Sequence, residues 1–490
     1  MKKMFLSLLP LAVIQLLFSC SGGAPAPEPV FPVPSKQQVE WQRMERYAFI
    51  HYGLNTYTDA EWGYGNASAS LLAPDSLDCR QWARVLAGAG MKGIILTAKH
   101  HDGFCLWPCT GTDYDIAASP YKGGKGDIVR ELSEACREYG LKFGIYISPW
   151  DRNRADYGMP EYVEYYRSQL KELLSGDYGD VFEVWLDGAN GGDGWYGGAD
   201  ETRTIDRRTY YDFPLIDSLI LALQPDAIIF SDGGPGCRWV GNERGIAGET
   251  NWSFLRGSEV YPGYHGFQEL PSGHADGDAW IPAECDVSIR PGWFWHADED
   301  TLVKTPEQLL DLYFKSVGRN ANFLLNVPVN AAGLISCADS ASLYAYNELL
   351  AKEFPCNLLS AGDATVSVSS ERGRAFRSEN IFDGDFDTYW SVPDGTDTAS
   401  VQIVFGSPKA MDKVVLQEYI PLGQRVASFA VEYLSEGRWI PVDCGEETTT
   451  IGYKRIIRFA PVEAEGLRVI FKESRGPVCI SALEAFLRAE

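Results

Sequence analysis

From about residue 40 to residue 355 the chain alternates short β-branched or aromatic runs with amphipathic helical stretches, a pattern that calls for a parallel sheet covered by helices. The runs are Ala48–Tyr57, Gly93–His101, Lys142–Trp150, Val181–Asp187, Ala227–Asp232, Ala279–Ile289 and Ala321–Val329. Between them, Asp127 is placed to cap a helix whose apolar stripe is Ile128, Leu132, Ala135, Cys136 and Tyr139, with Gly140 as its stop. Similar stripes pass through Trp82, Val85, Leu86 and Ala89, through Tyr162, Tyr166, Leu170 and Leu173, and through Leu309, Leu310, Tyr313 and Phe314. Sustained over roughly 300 residues, this rhythm suits a closed (β/α)8 barrel better than an open sheet.

The strand ends turn polar in a way that locates a site. His51 and Asn55, His100-His101-Asp102, Ser148-Pro149-Trp150 and Trp185-Leu186-Asp187 each follow an apolar strand body. In a barrel every such end reaches one rim, where active sites sit. Three of the chain's six histidines fall there, more than turn chemistry explains. Acidic residues outnumber basic ones 67 to 43, for a net charge of -24, which repels polyphosphate and argues against a nucleic-acid partner. The 14 Trp, 25 Tyr and 23 Phe suit recognition of flat apolar faces such as sugar rings.

Near Cys356 the rhythm changes to short strands with frequent turns, the pattern of an antiparallel β-sandwich over residues 356–490. Its Ile381-Phe382-Asp383-Gly384-Asp385-Phe386-Asp387-Thr388-Tyr389-Trp390 run resembles discoidin-like (factor 5/8 type C) modules, which are galactose-binding-like jelly rolls. That resemblance implies a structural calcium held by Asp383, Asp385, Thr388 and Glu484; the other reading is an acidic, solvated turn without metal. All candidate catalytic residues precede Cys356, so this module is expected to be dispensable for the chemistry.

Residues 1–19 read as a signal peptide, with Lys2 and Lys3 before an apolar run too short for a good membrane span. Leu17-Phe18-Ser19-Cys20 resembles a bacterial lipoprotein signal with lipid on Cys20; an ordinary secretory peptide is the alternative. Residues 20–35, with five prolines from Pro25 to Pro34, read as a stiff tether leading to a barrel at 36–355. An exported, membrane-anchored lipoprotein is expected, periplasmic or on the outer membrane. The remaining cysteines show no CxxC pair or His/Cys cluster, so a structural zinc is not expected. Their disulfide pairing is not legible.

The runs Ala48-Phe49-Ile50-His51-Tyr52-Gly53, Ala98-Lys99-His100-His101-Asp102-Gly103-Phe104 and Val184-Trp185-Leu186-Asp187-Gly188 resemble glycoside hydrolase family 29, the retaining α-L-fucosidases. Thr58-Asp59-Ala60-Glu61-Trp62-Gly63 and Arg238-Trp239-Val240-Gly241-Asn242-Glu243 are most similar to the subgroup acting on branched α-1,3/1,4-linked fucose. The resemblance implies Asp187 as nucleophile and Glu243 as acid/base, with Glu249 and Glu284 as rivals for the second role. Trp239 and Val240 are expected to supply apolar contact to Glu243. It further implies a sugar site made of His51, Glu61, His100, His101, Tyr146 and Arg290, with Trp62, Trp185 and Trp293 as an aromatic wall. Consecutive strand residues point to opposite sides, so the two adjacent histidines are read as hydrogen-bonding imidazoles and not as metal ligands. No metal or organic cofactor is expected in catalysis. The expected partners are fucosylated oligosaccharides or glycoconjugates. A broader fucosidase that includes α-1,2 linkages and a non-catalytic sugar-binding lipoprotein are the alternatives.

Overall fold

The computed structural model describes residues 24–188, 194–196, 198–360, 362, 364–396 and 398–489. The expected signal peptide and Cys20 lie outside the described residues. Eight parallel strands close a barrel: β1 (Arg46–Ile50), β2 (Gly93–Lys99), β3 (Lys142–Ile147), β4 (Val181–Trp185), β5 (Ile228–Ser231), β6 (Cys237–Trp239), β7 (Ala283–Ser288) and β8 (Ala321–Asn326). They neighbour one another in chain order, and β8 closes on β1 with Phe49 opposite Asn326. Helices α1 (Lys36–Gln42), α2 (Leu54–Thr58), α3 (Cys79–Gly88), α4 (Ile128–Tyr139), α5 (Pro160–Leu174), α6 (Phe213–Leu223), α7 (Pro306–Ser316) and α8 (Cys337–Glu353) accompany them. The ends follow local chemistry. Asp127 accepts the Arg130 N–H at 2.9 Å to start α4, Gly140 ends it at φ 69°, and Thr305 with Gln308 forms a capping box on α7.

The strict strand–helix alternation expected from the sequence breaks after β5, and the seven expected strands omitted β6. Strand β6 is three residues long and carries Arg238, too short and too polar to read as a strand. It overlaps β5 only at Phe230 opposite Cys237 and Ser231 opposite Arg238. The chain therefore steps sideways from the end of one strand to the start of the next, with five residues and no crossover helix between them. After β6, residues 240–282 form a long loop containing a small ribbon, Phe254–Leu255 against Ala279–Trp280. Arg238 staples this loop. Fully buried, it donates to the carbonyls of Leu270 (2.9 Å), Trp252 (3.0 Å) and Ile281, and to Asn251 Oδ1 (2.9 Å). Burial pulls its guanidinium down to about 9.

The period-two geometry of the strands stacks the lumen in layers. Tyr47, Phe49 and His51 rise along and just past β1, as do Glu183, Trp185 and Asp187 on β4 and Ile228, Phe230 and Asp232 on β5. Tyr47, Phe49, Tyr146, Trp185, Phe230 and Leu324 belong to one apolar cluster that fills the barrel interior. The top layer opens on the C-terminal rim.

The second domain is an antiparallel sheet system of seven strands with its own core around Trp390, Phe429, Leu467 and Phe471. Two 20-residue strands, Ala399–Glu418 and Arg455–Ser474, pair along most of their length, with register shifts after Val404 and Met411. Such shifts bend a strand, so that Ala364–Val368 pairs with its first half and Cys479–Phe486 with its second.

This domain is wedged against the barrel. Gln424 accepts from Ser253 N (2.8 Å) and donates to Asn251 O (3.0 Å), Thr450 accepts from Asn251 N (2.8 Å), and Asn320 accepts from Tyr453 N (2.8 Å). Val415, Ile456 and Phe486 join the apolar core on the outside of the barrel. The proline-rich segment is also not a free tether. Its carbonyls take hydrogen bonds from Arg372 (to Pro25, 2.6 Å), Arg425 (to Glu28, 2.7 Å) and Arg475 (to Phe31, 3.2 Å), and Val30 N donates to Leu422 O. Prolines keep backbone carbonyls free of local partners, and the arginines use them.

Among the described residues the calcium set is not assembled. Asp383, Asp385 and Thr388 share a turn in which Thr388 Oγ1 donates to Asp383 Oδ2 (2.7 Å) and Asp383 Oδ1 accepts from Asp385 N (2.8 Å). Glu484 stands opposite Val415 and faces Lys454 and Glu45 at the domain interface. Strand register therefore assigns Glu484 to a different charge cluster, and the four residues do not fit one ion. The ten cysteines described are all free thiols, and no described helix is long and apolar enough to cross a membrane.

Candidate active site

A cavity of about 260 Å³ opens at the C-terminal rim, lined by residues that include His51, Trp62, His100, His101, Tyr146, Trp185, Asp187 and Trp239, together with Glu243, Asp286 and Trp293. Its floor is the Trp185 indole, stacked on Phe230 at 3.6 Å and 4° and on Tyr146 at 5.8 Å and 21°. Trp62, 58% exposed, stands edge-on to His101 and Trp150 at the mouth.

Asp187 follows β4 and enters the cavity from the layer above Trp185. Tyr146 donates to its Oδ2 at 3.0 Å and the Gly188 N–H to its Oδ1 at 2.6 Å. Gly188 adopts φ +84°, where an L side chain is strained, and a Cβ there would also strike the His101 ring at 2.7 Å. Burial and the nearby charge of Asp232 push the Asp187 carboxyl up to about 7, against the lowering effect of its two donors. Glu243 sits on the exposed lip and accepts from Trp293 Nε1 at 3.3 Å. Val240 is fully buried in an apolar cluster with Ala247, Ala283 and Cys285.

The imidazoles are neutral. Burial pulls His51 and His101 down to about 3 and His100 well below its usual range. Asn326 Nδ2 is committed to Ser288 Oγ and Trp293 O, so its Oδ1 accepts from His51 Nδ1 at 2.8 Å. Ser148 Oγ donates to Trp150 O, so it accepts from His101 Nδ1 at 2.7 Å. In this network both rings keep Nε2 as an acceptor for a ligand hydroxyl. The expectation that His100 and His101 point to opposite sides is corrected. Strand β2 ends at Lys99, the two rings lie 4.1 Å apart in the following turn, and both line the cavity.

Two expected sugar contacts are placed elsewhere. Arg290 is fully buried and paired with Asp339 (3.0 Å) and Asp300 (2.7 Å), outside the cavity lining. Glu61 does not line it either. Its carboxylate accepts from Trp293 N (2.8 Å), Phe294 N (3.2 Å) and His296 Nε2 (2.7 Å), so it clamps the loop that presents Trp293. Asp59 holds the other His296 nitrogen, and these two carboxylates raise the imidazole against the effect of burial. Of the rivals to Glu243, Glu284 lies in the lumen beneath Trp185, and Glu249 faces the second domain, accepting from Glu447 N at 2.9 Å.

The sequence reading passed over Asp232 and Asp286, which also line the cavity. Asp232 accepts from Gly263 N at 2.5 Å, and burial raises it to about 6. Asp286 accepts from Trp239 Nε1 at 2.9 Å and is pushed well up by burial and by Glu243. Alternation along Glu284-Cys285-Asp286-Val287-Ser288 was the available signal, since it puts polar residues on one face of a buried strand.

A closed parallel barrel that presents several carboxylates above an aromatic floor has the construction of a glycoside hydrolase. Comparison with known proteins narrows this. The α-L-fucosidase family pattern matches residues 29–353, and the F5/8 type C domain pattern matches residues 365–484. Alpha-L-fucosidase 1 of Arabidopsis thaliana is 42% identical over 490 residues, covering 99% of this chain and 92% of its own. The crystal structure of a glycoside hydrolase 29 family member from an unknown rumen bacterium superposes with a TM-score of 0.84 at 46% identity, over 95% of this chain and 78% of that one. A Ruminococcus gnavus family 29 fucosidase solved in complex with fucose gives 0.83 at 33% identity, over 96% and 98%. The chain belongs to the α-L-fucosidase family, glycoside hydrolase family 29, and carries a C-terminal F5/8 type C domain. It is an α-L-fucosidase acting on fucosylated substrates.

Proposed function

We propose that this enzyme is a retaining exo-α-L-fucosidase in which Asp187 is the nucleophile and Glu243 the acid/base. The observation that carries the reading is the presence of both carboxylates in one cavity floored by Trp185. At about 260 Å³ the cavity lies below the roughly 300–1,000 Å³ of common ligand pockets, which suits one terminal sugar ring. Asp187, oriented by Tyr146 and Gly188, attacks the anomeric carbon as the glycosidic bond breaks, and Glu243 gives its proton to the departing oxygen. Glu243 then takes a proton from water as that water displaces Asp187, and the fucose leaves with its configuration kept. The neutral His51 and His101 accept hydrogen bonds from sugar hydroxyls, and Trp62 and Trp293 flank the mouth. The activity needs no metal and no organic cofactor on this reading.

The preferred substrates are α-1,3/1,4-linked fucosides on branched, Lewis-type glycans. The Asp59–Glu61–His296 clamp and the Glu243–Trp293 contact support this, because they join the two subgroup-like motifs into one rim. Hydrolysis of Lewis trisaccharides, the α-1,2-linked H disaccharide and an aryl fucoside, with the first-formed anomer read by NMR, tests both parts. Fast release from the H disaccharide with Lewis substrates untouched refutes the linkage, and a β-fucose first product refutes retention.

We further propose that Cys20 is lipidated and that the protein is exported to a membrane surface. Docking of the proline-rich segment on the second domain supports a close approach. Pro25 is five positions beyond Cys20, a reach of about 17 Å when extended. Incorporation of labelled palmitate that is lost in Cys20→Ser tests it.

A further inference from the structure

The barrel lumen beneath the cavity holds two acids that the chemistry above does not use. Glu183 on β4 and Glu284 on β7 are both fully buried. A ligand oxygen of each and Cys237 Sγ lie within 4.8 Å of one another. Their acceptors are already taken. Trp41 Nε1 donates to Glu183 Oε2 at 2.8 Å, Cys237 Sγ to Glu183 Oε1 at 3.7 Å, Trp185 Nε1 to Glu284 Oε1 at 2.6 Å, and the Tyr47 hydroxyl to Glu284 Oε2. Donors converging from four side chains leave no open position for a cation, and among the described residues no ion pair reaches either acid. Burial raises both carboxyls, Glu284 further because it faces the charge of Glu183, so the pair disfavours double ionisation.

We infer that Glu284 is a positioning residue: its Oε1, accepting from Trp185 Nε1 at 2.6 Å, anchors the indole that floors the sugar cavity. The consequence runs upward through contacts already described. Trp185 stacks on Phe230 and Tyr146, and Tyr146 donates to Asp187 Oδ2. An indole released at its N–H loosens the floor under the sugar and the hydroxyl that orients Asp187. The inference rests on the barrel-mouth cavity being the active site.

The test is a mutant cycle on the full chain with an aryl α-L-fucoside, reading kcat and KM separately and using circular dichroism to check folding. Trp185→Phe, which keeps the stack and removes the N–H, should lose about tenfold in kcat/KM, the effect of roughly one strong hydrogen bond. Glu284→Leu should lose a similar amount, and Glu284→Gln, whose carbonyl still accepts the indole N–H, should stay within about threefold of the wild type. Glu284→Leu added to Trp185→Phe should cost nothing more, because one interaction is removed twice. Glu284→Met replaces the leucine if that variant does not fold. Wild-type activity in Glu284→Leu, equal damage in Glu284→Gln, or additive losses in the double variant each overturn the proposal. Wild-type kcat/KM in Trp185→Phe overturns the proposal alone, whereas full activity in Asp187→Ala removes the cavity reading on which it rests.

Discussion

Gln424→Leu is the most informative single change at the interface between the domains. The side chain keeps its approximate volume but loses two hydrogen bonds to the loop that carries Glu243. Gln424, Asn251 and Ser253 are all fully buried, so water cannot replace them. Ser253 N–H is left without a partner, at a cost of about 1–3 kcal/mol. Asn251 C=O keeps the hydrogen bond from Asn320 Nδ2 at 3.1 Å, so losing the Gln424 donor costs only about 1 kcal/mol. The sum is about 2–4 kcal/mol, concentrated in residues 249–256. Urea titration should therefore show activity failing at a lower concentration than the circular dichroism signal, and amide exchange in that segment should speed up. A stability change below about 0.5 kcal/mol with unchanged exchange would refute the argument that the second domain holds the loop.

Asp187→Ala should be nearly inactive on every fucoside, while Glu243→Ala should lose about 10²–10⁴-fold on oligosaccharides and less in the bond-breaking step of an activated aryl fucoside. Azide should then yield the α-fucosyl azide from Glu243→Ala and the β anomer from Asp187→Ala; near-normal turnover of Lewis substrates by Glu243→Ala would refute the assignment. As the proposed nucleophile Asp187 has to be ionised, and burial raises its carboxyl to about 7, so kcat/KM should fall as pH drops below that value. Asp232→Asn removes a like charge and should move that acid limb to lower pH; an unmoved or raised limb refutes the coupling. Deleting residues 357–490 should abolish activity and not spare it, because the loop loses Gln424 and Thr450 and the outer core loses Val415, Ile456 and Phe486; an active, soluble truncation would refute this.

The barrel was legible because most of its signals are local. Asp127 and Gly140 bound α4 through contacts within a few residues, and the apolar body of β2 announces itself. Strand β6 was not legible, because three residues cannot display a period and its strand character comes from pairing with β5 and β7. The role of Arg238 was hidden for a related reason: its four partners lie between 13 and 43 residues away in the chain. The proline-rich stretch misled in the opposite direction. Its composition describes a stiff free chain truly, but stiffness leaves the carbonyls unpaired and ready for any arginine that the second domain presents.

Within the site, legibility followed the distance over which each residue acts. Asp187 could be placed from its own strand, since the three apolar or aromatic residues before it, Val184, Trp185 and Leu186, set its depth and the rim sets its exposure. Glu61 and Arg290 are expected to touch the sugar, and the structure places neither of them in the cavity lining. What Glu61 does depends on the backbone of Trp293, and what Arg290 does depends on Asp339 in α8. Each is a charged residue held by partners distant in the chain, and only the tertiary fold decides whether such a charge enters the cavity or braces the structure around it. The same reasoning separates Asp286 from Glu284. They are two residues apart on one face of β7, yet that spacing is one layer of the lumen, which puts the first in the cavity and the second beneath its floor.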